Sequence, residues 1–240
     1  MLNDITQNNQ PLIENEKRKG FCVAAIQMAS GPSVSANLEE AARLIEEAAA
    51  QKAKLVVLPE YFCIMGMKDT DKLAVREQPG NGPIQKFLSD TAKRLGIWLV
   101  GGSVPLASSE SDKVYNSCLV YADTGEQVAR YDKIHLFGLR LGHEHYAEER
   151  TIKAGNSVVT VDSPFGRIGL SICYDLRFPE LFRMMNKVDI ILAPAAFTAI
   201  TGKAHWEVLV RARAVENMAY VIAPGPVSYT HLTLPTNREV

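Results

Sequence analysis

Two kinds of apolar pattern alternate along this chain. Short runs that are apolar at nearly every position, at 21–28, 55–58, 97–103, 114–121, 188–192 and 219–223, have the length of buried strands. Between them lie longer stretches with apolar residues three and four apart. In 37–50 the positions Leu38, Ala41, Ala42, Ile45, Ala48 and Ala49 make one stripe, as on a helix packed against a sheet. A second helix is predicted over 83–95. Pro83 suits its first turn, and Gly96 suits the residue just past its end. Further helices are predicted after Pro179 and over 203–217. A strand at 126–131 is entered through Asp123-Thr-Gly125, and 157–161 and 167–172 read as a hairpin around Ser163-Pro-Phe-Gly166. Strands alternating with helices predict an α/β protein whose helices cover sheets. The stretch 138–154 carries no clear period and reads as a pocket-lining loop.

Three strand ends carry chemistry. In Arg167-Ile-Gly-Leu-Ser-Ile-Cys-Tyr-Asp-Leu-Arg-Phe-Pro-Glu180 a buried strand runs into a thiol and then a helix start. Helix N-terminal N–H groups beside Cys173 would favour thiolate; the alternative is a core cysteine ending a strand. Leu55-Val-Val-Leu-Pro-Glu60 places a carboxylate at the end of a buried run, where an unpaired charge is costly. Lys133 follows the 126–131 strand in Arg130-Tyr-Asp-Lys-Ile-His-Leu-Phe137. Taken singly, Glu60 and Lys133 read first as solvated charges rather than as site residues.

Together, in that order, the LPE, YDK-IHLF and CYDLRFPE blocks resemble the nitrilase superfamily of carbon–nitrogen hydrolases over about 21–224. The phrases Tyr146-Ala-Glu-Glu-Arg-Thr151, Ser163-Pro-Phe-Gly-Arg-Ile-Gly-Leu170 and 204–217 resemble its small-amidase branch. The resemblance implies a four-layer α-β-β-α sandwich and a Glu60, Lys133, Cys173 catalytic set. It also implies a second glutamate after the lysine, for which Glu148 fits better than the adjacent Glu149, and oxyanion binding by the Tyr174 backbone N–H. Glu60 would be the general base, Lys133 the partner of the developing negative charge, and Cys173 the nucleophile that forms a thioester. The implied substrate is a primary amide of a small carboxylic or 2-oxo acid, with water as co-substrate and no cofactor or metal. Amide, nitrile and N-carbamoyl chemistry share this set.

Several residues carry two readings. Arg177 either holds a substrate carboxylate or pairs with Asp175 or Glu180. Thr198 and His205 either touch substrate or cap and pack a helix. Trp206, Arg211, Arg213 and Glu216 recur at helical spacing and suit helix packing and a dimer interface. Asn116 is a candidate support for the site, and Cys63 reads as a buried structural thiol. Cys22 and Cys118, in strand-like runs, read as core. A metal site is the rival for His143-Glu-His-Tyr-Ala-Glu-Glu149, but its spacing is not HExxH. A Cys-His-Asn thiol enzyme needs a histidine partner where this chain offers Glu and Lys. A binding protein would have no need of all three reactive residues.

Bulk properties narrow the classes. A net charge of −1 supplies no field for nucleic acid or an anionic membrane, and no apolar run approaches the ~20 residues of a membrane span. The four cysteines have no CxxC spacing, which points to a reducing cytoplasm. Residues 1–19 are polar and read as a flexible lead-in to a hydrolase domain at 20–226, expected to work as a homodimer or higher homo-oligomer. From Val227 the chain departs from the family pattern. Val227-Ser-Tyr-Thr-His-Leu-Thr-Leu-Pro-Thr236 can be back-translated into a transposase adapter used in sequencing libraries. The expectation is a non-native tail at 227–240, a second sheet left incomplete, and an unstable product.

Overall fold

The computed structural model describes residues 20–141 and 144–225; the predicted lead-in and the predicted foreign tail lie outside them. In chain order the strands are β1 (Cys22–Ala25), β2 (Ala53–Val57), β3 (Trp98–Val100), β4 (Val104–Ala107), β5 (Val114–Tyr121), β6 (Gln127–Asp132), β7 (Gly138–Leu141), β8 (Glu144–Ala147), β9 (Thr160–Ser163), β10 (Gly166–Leu170), β11 (Ile190–Leu192) and β12 (Tyr220–Ile222). The helices are α1 (Val34–Ala50), α2 (Asp71–Ala74), α3 (Pro83–Leu95), α4 (Pro179–Met184) and α5 (Ala199–Asn217).

One sheet runs β1-β2-β3-β5, its first three strands parallel. β3 and β4 share one edge of β5, and β6 takes the other. The second sheet runs β12-β11-β10-β9, with only β9 antiparallel. The period-2 pleat sorts side chains between layers. Leu55 and Val57 of β2, and Cys118 and Val120 of β5, join Ile168, Leu170 and Ile190 in a core between the sheets. The intervening Val56 and Leu119 face Ala41 and Ile45 of α1 and Ile84 and Leu88 of α3. α4 and α5 cover the second sheet through Phe182 and Trp206. The result is the α-β-β-α layering that the family resemblance implied.

The termini of α3 are where Pro83 and Gly96 put them, with Gly96 left-handed at φ 60°. Three predictions need correction. The 97–103 strand ends at Val100, because Gly102 turns left-handed at φ 49° and a Cβ there would lie 2.0 Å from the Pro59 carbonyl oxygen. The 138–154 loop contains the antiparallel pair β7 and β8 and a 3-10 turn, Glu148–Arg150; ladder bonds build what the weak local pattern hid. Cys22, on edge strand β1, is exposed rather than core.

Candidate active site

Glu60, Lys133 and Cys173 each lie just past the carboxyl end of a strand, β2, β6 and β10 respectively, and the two sheets face each other so that these ends meet. Crevices at strand carboxyl ends are the usual ligand sites of open α/β sheets. Backbone detail fixes each exit. Past β10, the N–H groups of Ser171 and Cys173 keep donating to Leu192 and Pro194 (2.9 and 3.0 Å). Cys173 then turns left-handed at φ 50° into a 3-10 turn, Cys173–Arg177. Tyr61, directly after Glu60, is also left-handed (φ 56°), and its N–H donates to Ser103 Oγ at 2.9 Å. Such backbone is sparsely populated for residues with a Cβ and is held here by the surrounding bonds.

The four predicted residues converge on one pocket of about 40 Å³, whose walls include Tyr61, Phe137, Tyr174, Arg177, Phe197 and Thr198. Lys133 Nζ donates to Glu60 Oε1 at 2.9 Å and lies 2.9 Å from Glu148 Oε2. Glu60 and Lys133 are each 1 % exposed. Asn116 Nδ2 donates to Glu60 Oε1 (2.9 Å), which gives the predicted support residue its place. Glu148 also accepts from the Tyr61 hydroxyl (2.8 Å) and the Phe137 N–H (2.7 Å).

Charge follows from this packing. Burial raises the Glu60 carboxyl above its ordinary value, against the pull of Lys133. Burial also acts to raise Glu148, but Lys133, the Phe137 N–H and the Tyr61 hydroxyl outweigh it, so Glu148 lies low and stays ionised. Lys133 is held well above the lysine range: the two carboxylates overcome its desolvation. Burial, then the Glu60 charge, pushes the Cys173 thiol well up. This corrects the expectation of a helix-stabilised thiolate. The 3-10 turn does not outweigh desolvation, so the sulfur rests protonated beside a carboxylate of raised basicity.

Residues 22–235 match the family model described as carbon-nitrogen hydrolase. The chain belongs to the carbon-nitrogen hydrolase family. This hydrolase is 43% identical over 213 residues to the deaminated glutathione amidase of Synechocystis sp., spanning 86% of this chain and 78% of that one. It is 41% identical over 210 residues to human omega-amidase NIT2, spanning 86% of this chain and 74% of that one. Among solved structures it resembles Nit3 of Saccharomyces cerevisiae, a member of branch 10 of the nitrilase superfamily. That match has a TM-score of 0.77 and 34% identity, and covers 86% of this chain and 75% of that chain. The family makes the protein a hydrolase of carbon–nitrogen bonds.

The remaining predicted residues divide. Arg177 lies in the pocket wall between the Tyr174 and Phe197 rings, 5.6 and 5.7 Å from their centroids. Among the described residues it has no carboxylate partner, so the pairing with Asp175 or Glu180 is not made. His205 is exposed and sits behind Arg177, accepting from Nη2 at 3.1 Å. Thr198 lines the pocket and caps α5, accepting from the Thr201 N–H. Trp206 packs on Phe197, and Arg213 is buried, donating to the Leu176 carbonyl (3.0 Å) and to Glu216. Arg211 pairs with Glu207 on the exposed face. Cys63 lies in the core under α1 and α3, with its thiol directed at the Ser103 carbonyl, and Cys118 lies between the sheets. Of the rival metal stretch, His143 lies outside the described residues, and Glu148 is committed to Lys133.

Two features were not foreseen. Tyr61 reaches Glu148 with its hydroxyl. Asp175, fully buried in the Cys173 turn, accepts from the Ile172 N–H and the Tyr131 hydroxyl (2.8 Å each), and from the backbone N–H and Nδ1 of His135 (3.0 and 2.7 Å). It ties the segment carrying Lys133 to the turn carrying Cys173. The local signal was an acid two residues past the cysteine, but its partners are about 40 residues upstream.

Proposed function

We propose that this enzyme hydrolyses the primary amide of a small acid that also carries a carboxylate, through a thioester on Cys173. Glu60 takes the thiol proton as sulfur attacks the carbonyl carbon. The Lys133 ammonium and the Tyr174 N–H stabilise the oxyanion, a type of contact worth about 2.7–4 kcal/mol per donor. Glu60 returns the proton to the leaving nitrogen, the C–N bond breaks and ammonia departs. Water, deprotonated by Glu60, then attacks the thioester; the acid leaves and the proton returns to sulfur. Glu148 holds Lys133 charged and in place.

One observation carries the substrate class: a guanidinium in the pocket wall with no carboxylate partner among the described residues, and with aromatic rings on either side, suits a planar carboxylate. Deaminated glutathione is the preferred substrate, supported by the name of the 43% identical relative; the ω-amide 2-oxoglutaramate is the second reading, supported by that of the 41% identical one. The enzyme is assigned to the cytoplasm, consistent with its free thiols. A homodimer is supported by exposed apolar Val208 and Val215 on α5 and by Met218 just past it. The test is ammonia release from both compounds and from an amide of matched size without a carboxylate. The expected result is turnover of a carboxylate-bearing amide, with KM raised at least about tenfold in Arg177→Met. Equal turnover of the carboxylate-free amide, unaffected by Arg177→Met, would overturn the assignment.

A further inference from the structure

The Glu60, Lys133 and Glu148 cluster holds two carboxylates against one ammonium in a nearly dry setting. A second lysine stands one layer out. Lys72, on α2, places its Nζ 5.5 Å from the centroid of the Tyr61 ring and 3.4 Å from Thr151 Oγ1. Tyr61 is the residue whose hydroxyl donates to Glu148, and the Thr151 N–H donates to the Glu148 carbonyl. Lys72 has no carboxylate within ion-pair distance among the described residues and is not part of the pocket wall. It therefore has no local ion pair among the described residues and stands outside the pocket lining.

We propose that Lys72 is a positioning residue of this site: its ammonium, held over the Tyr61 ring, offsets the second carboxylate of the cluster and keeps both Glu60 and Glu148 ionised. The charges whose fields reach Lys72 are those of Glu148, Asp69, Lys133 and Glu60. Glu60 in turn meets Lys133, Glu148 and Cys173. Burial lowers the Lys72 ammonium, with Glu148 pulling the other way, as for a cation set in protein to serve charges farther in. Partial desolvation also strengthens its reach, since the water that would screen it is displaced. The role deepens the amidase reading and rests on it for Glu60 as base.

The test uses the full chain and two neutral variants, Lys72→Gln and Lys72→Met, beside Lys72→Arg. Two profiles are measured against pH: the rate of Cys173 alkylation by iodoacetamide, followed on the peptide that contains it, and kcat/KM for ammonia release. Both neutral variants are expected to move the acid limb of each profile to higher pH by about half a unit or more, about threefold slower on the acid side. Lys72→Arg should track the wild type, and melting temperatures identify any variant that is merely unfolded. Superimposable wild-type and neutral-variant profiles, or a shift in Lys72→Arg equal to that in Lys72→Gln, would overturn the proposal. The alkylation profile needs no substrate, so it separates this outcome from a wild type that releases no ammonia, which would instead defeat the amidase reading.

Discussion

A protonated thiol beside a raised carboxylate makes the proton on Cys173 the first obstacle to catalysis. In the proposed mechanism Glu60 takes the thiol proton, which it cannot do when protonated below its own pKa, so the rate should fall with acid. Because burial raises that pKa, the acid limb of kcat/KM should lie above the ordinary glutamate value of about 4.3. Lys133 is held well above its usual range and should contribute no alkaline limb. A limb at or below about 4.3 in a pH–rate profile would contradict this. Asp175 holds His135, whose ring stacks on Phe178 with centroids 3.7 Å apart. His135→Ala should lower kcat about tenfold with little change in KM, and should also lower the melting temperature because the buried Asp175 carboxylate loses a donor. His135→Asn, which keeps a donor near the Nδ1 position, should recover most of the loss in steady-state assays. At this scale the sequence made Glu60, Lys133 and Cys173 legible only together, through three motif blocks in order, since Glu60 and Lys133 taken singly read as solvated charges. It was silent where a residue's importance lies in a distant partner, as for Tyr61 with Glu148, Asp175 with His135, and Lys72.

Elements set the precision of these contacts. Gly102 passes so close to Pro59 that the β2 exit, and with it Glu60, depends on a missing side chain. Gly102→Ala adds a Cβ against backbone in a left-handed conformation and should cost more than about 2 kcal/mol in denaturant unfolding. Thr198 caps α5, so Thr198→Ala should cost about 1 kcal/mol. An accompanying rise in KM would show that its place in the pocket wall also serves substrate. Periodicity located α1 and α3 because each buries one stripe on a sheet, and Pro83 and Gly96 marked the ends of α3. It missed β4, β7 and β8, which are only four residues long and exist through their ladders. It also read the Cys173 turn as a helix start, because one 3-10 turn followed by Pro179 has the same local signature.

At the scale of the whole molecule, the site exists because two sheets pack face to face with their strand ends aligned. Tyr131 reaches from β6 across that core to Asp175 in the Cys173 turn. Removing its hydroxyl leaves a buried acceptor short of a donor, so Tyr131→Phe should destabilise by about 1–3 kcal/mol in thermal unfolding and slow catalysis in proportion to the loosened turn. The alternation of strands and helices made an α/β protein legible, but periodicity carries no information on how sheets stack; that came from the three motif blocks. The central claim is that Cys173 attacks the amide carbon with Glu60 as its base. The most direct measurement is mass spectrometry of the enzyme acid-quenched during turnover of deaminated glutathione or 2-oxoglutaramate. The account predicts an adduct on the Cys173 peptide equal to the substrate less ammonia, absent in Cys173→Ala together with all ammonia release. Undiminished ammonia release by Cys173→Ala, with no adduct on the wild-type peptide, would contradict it.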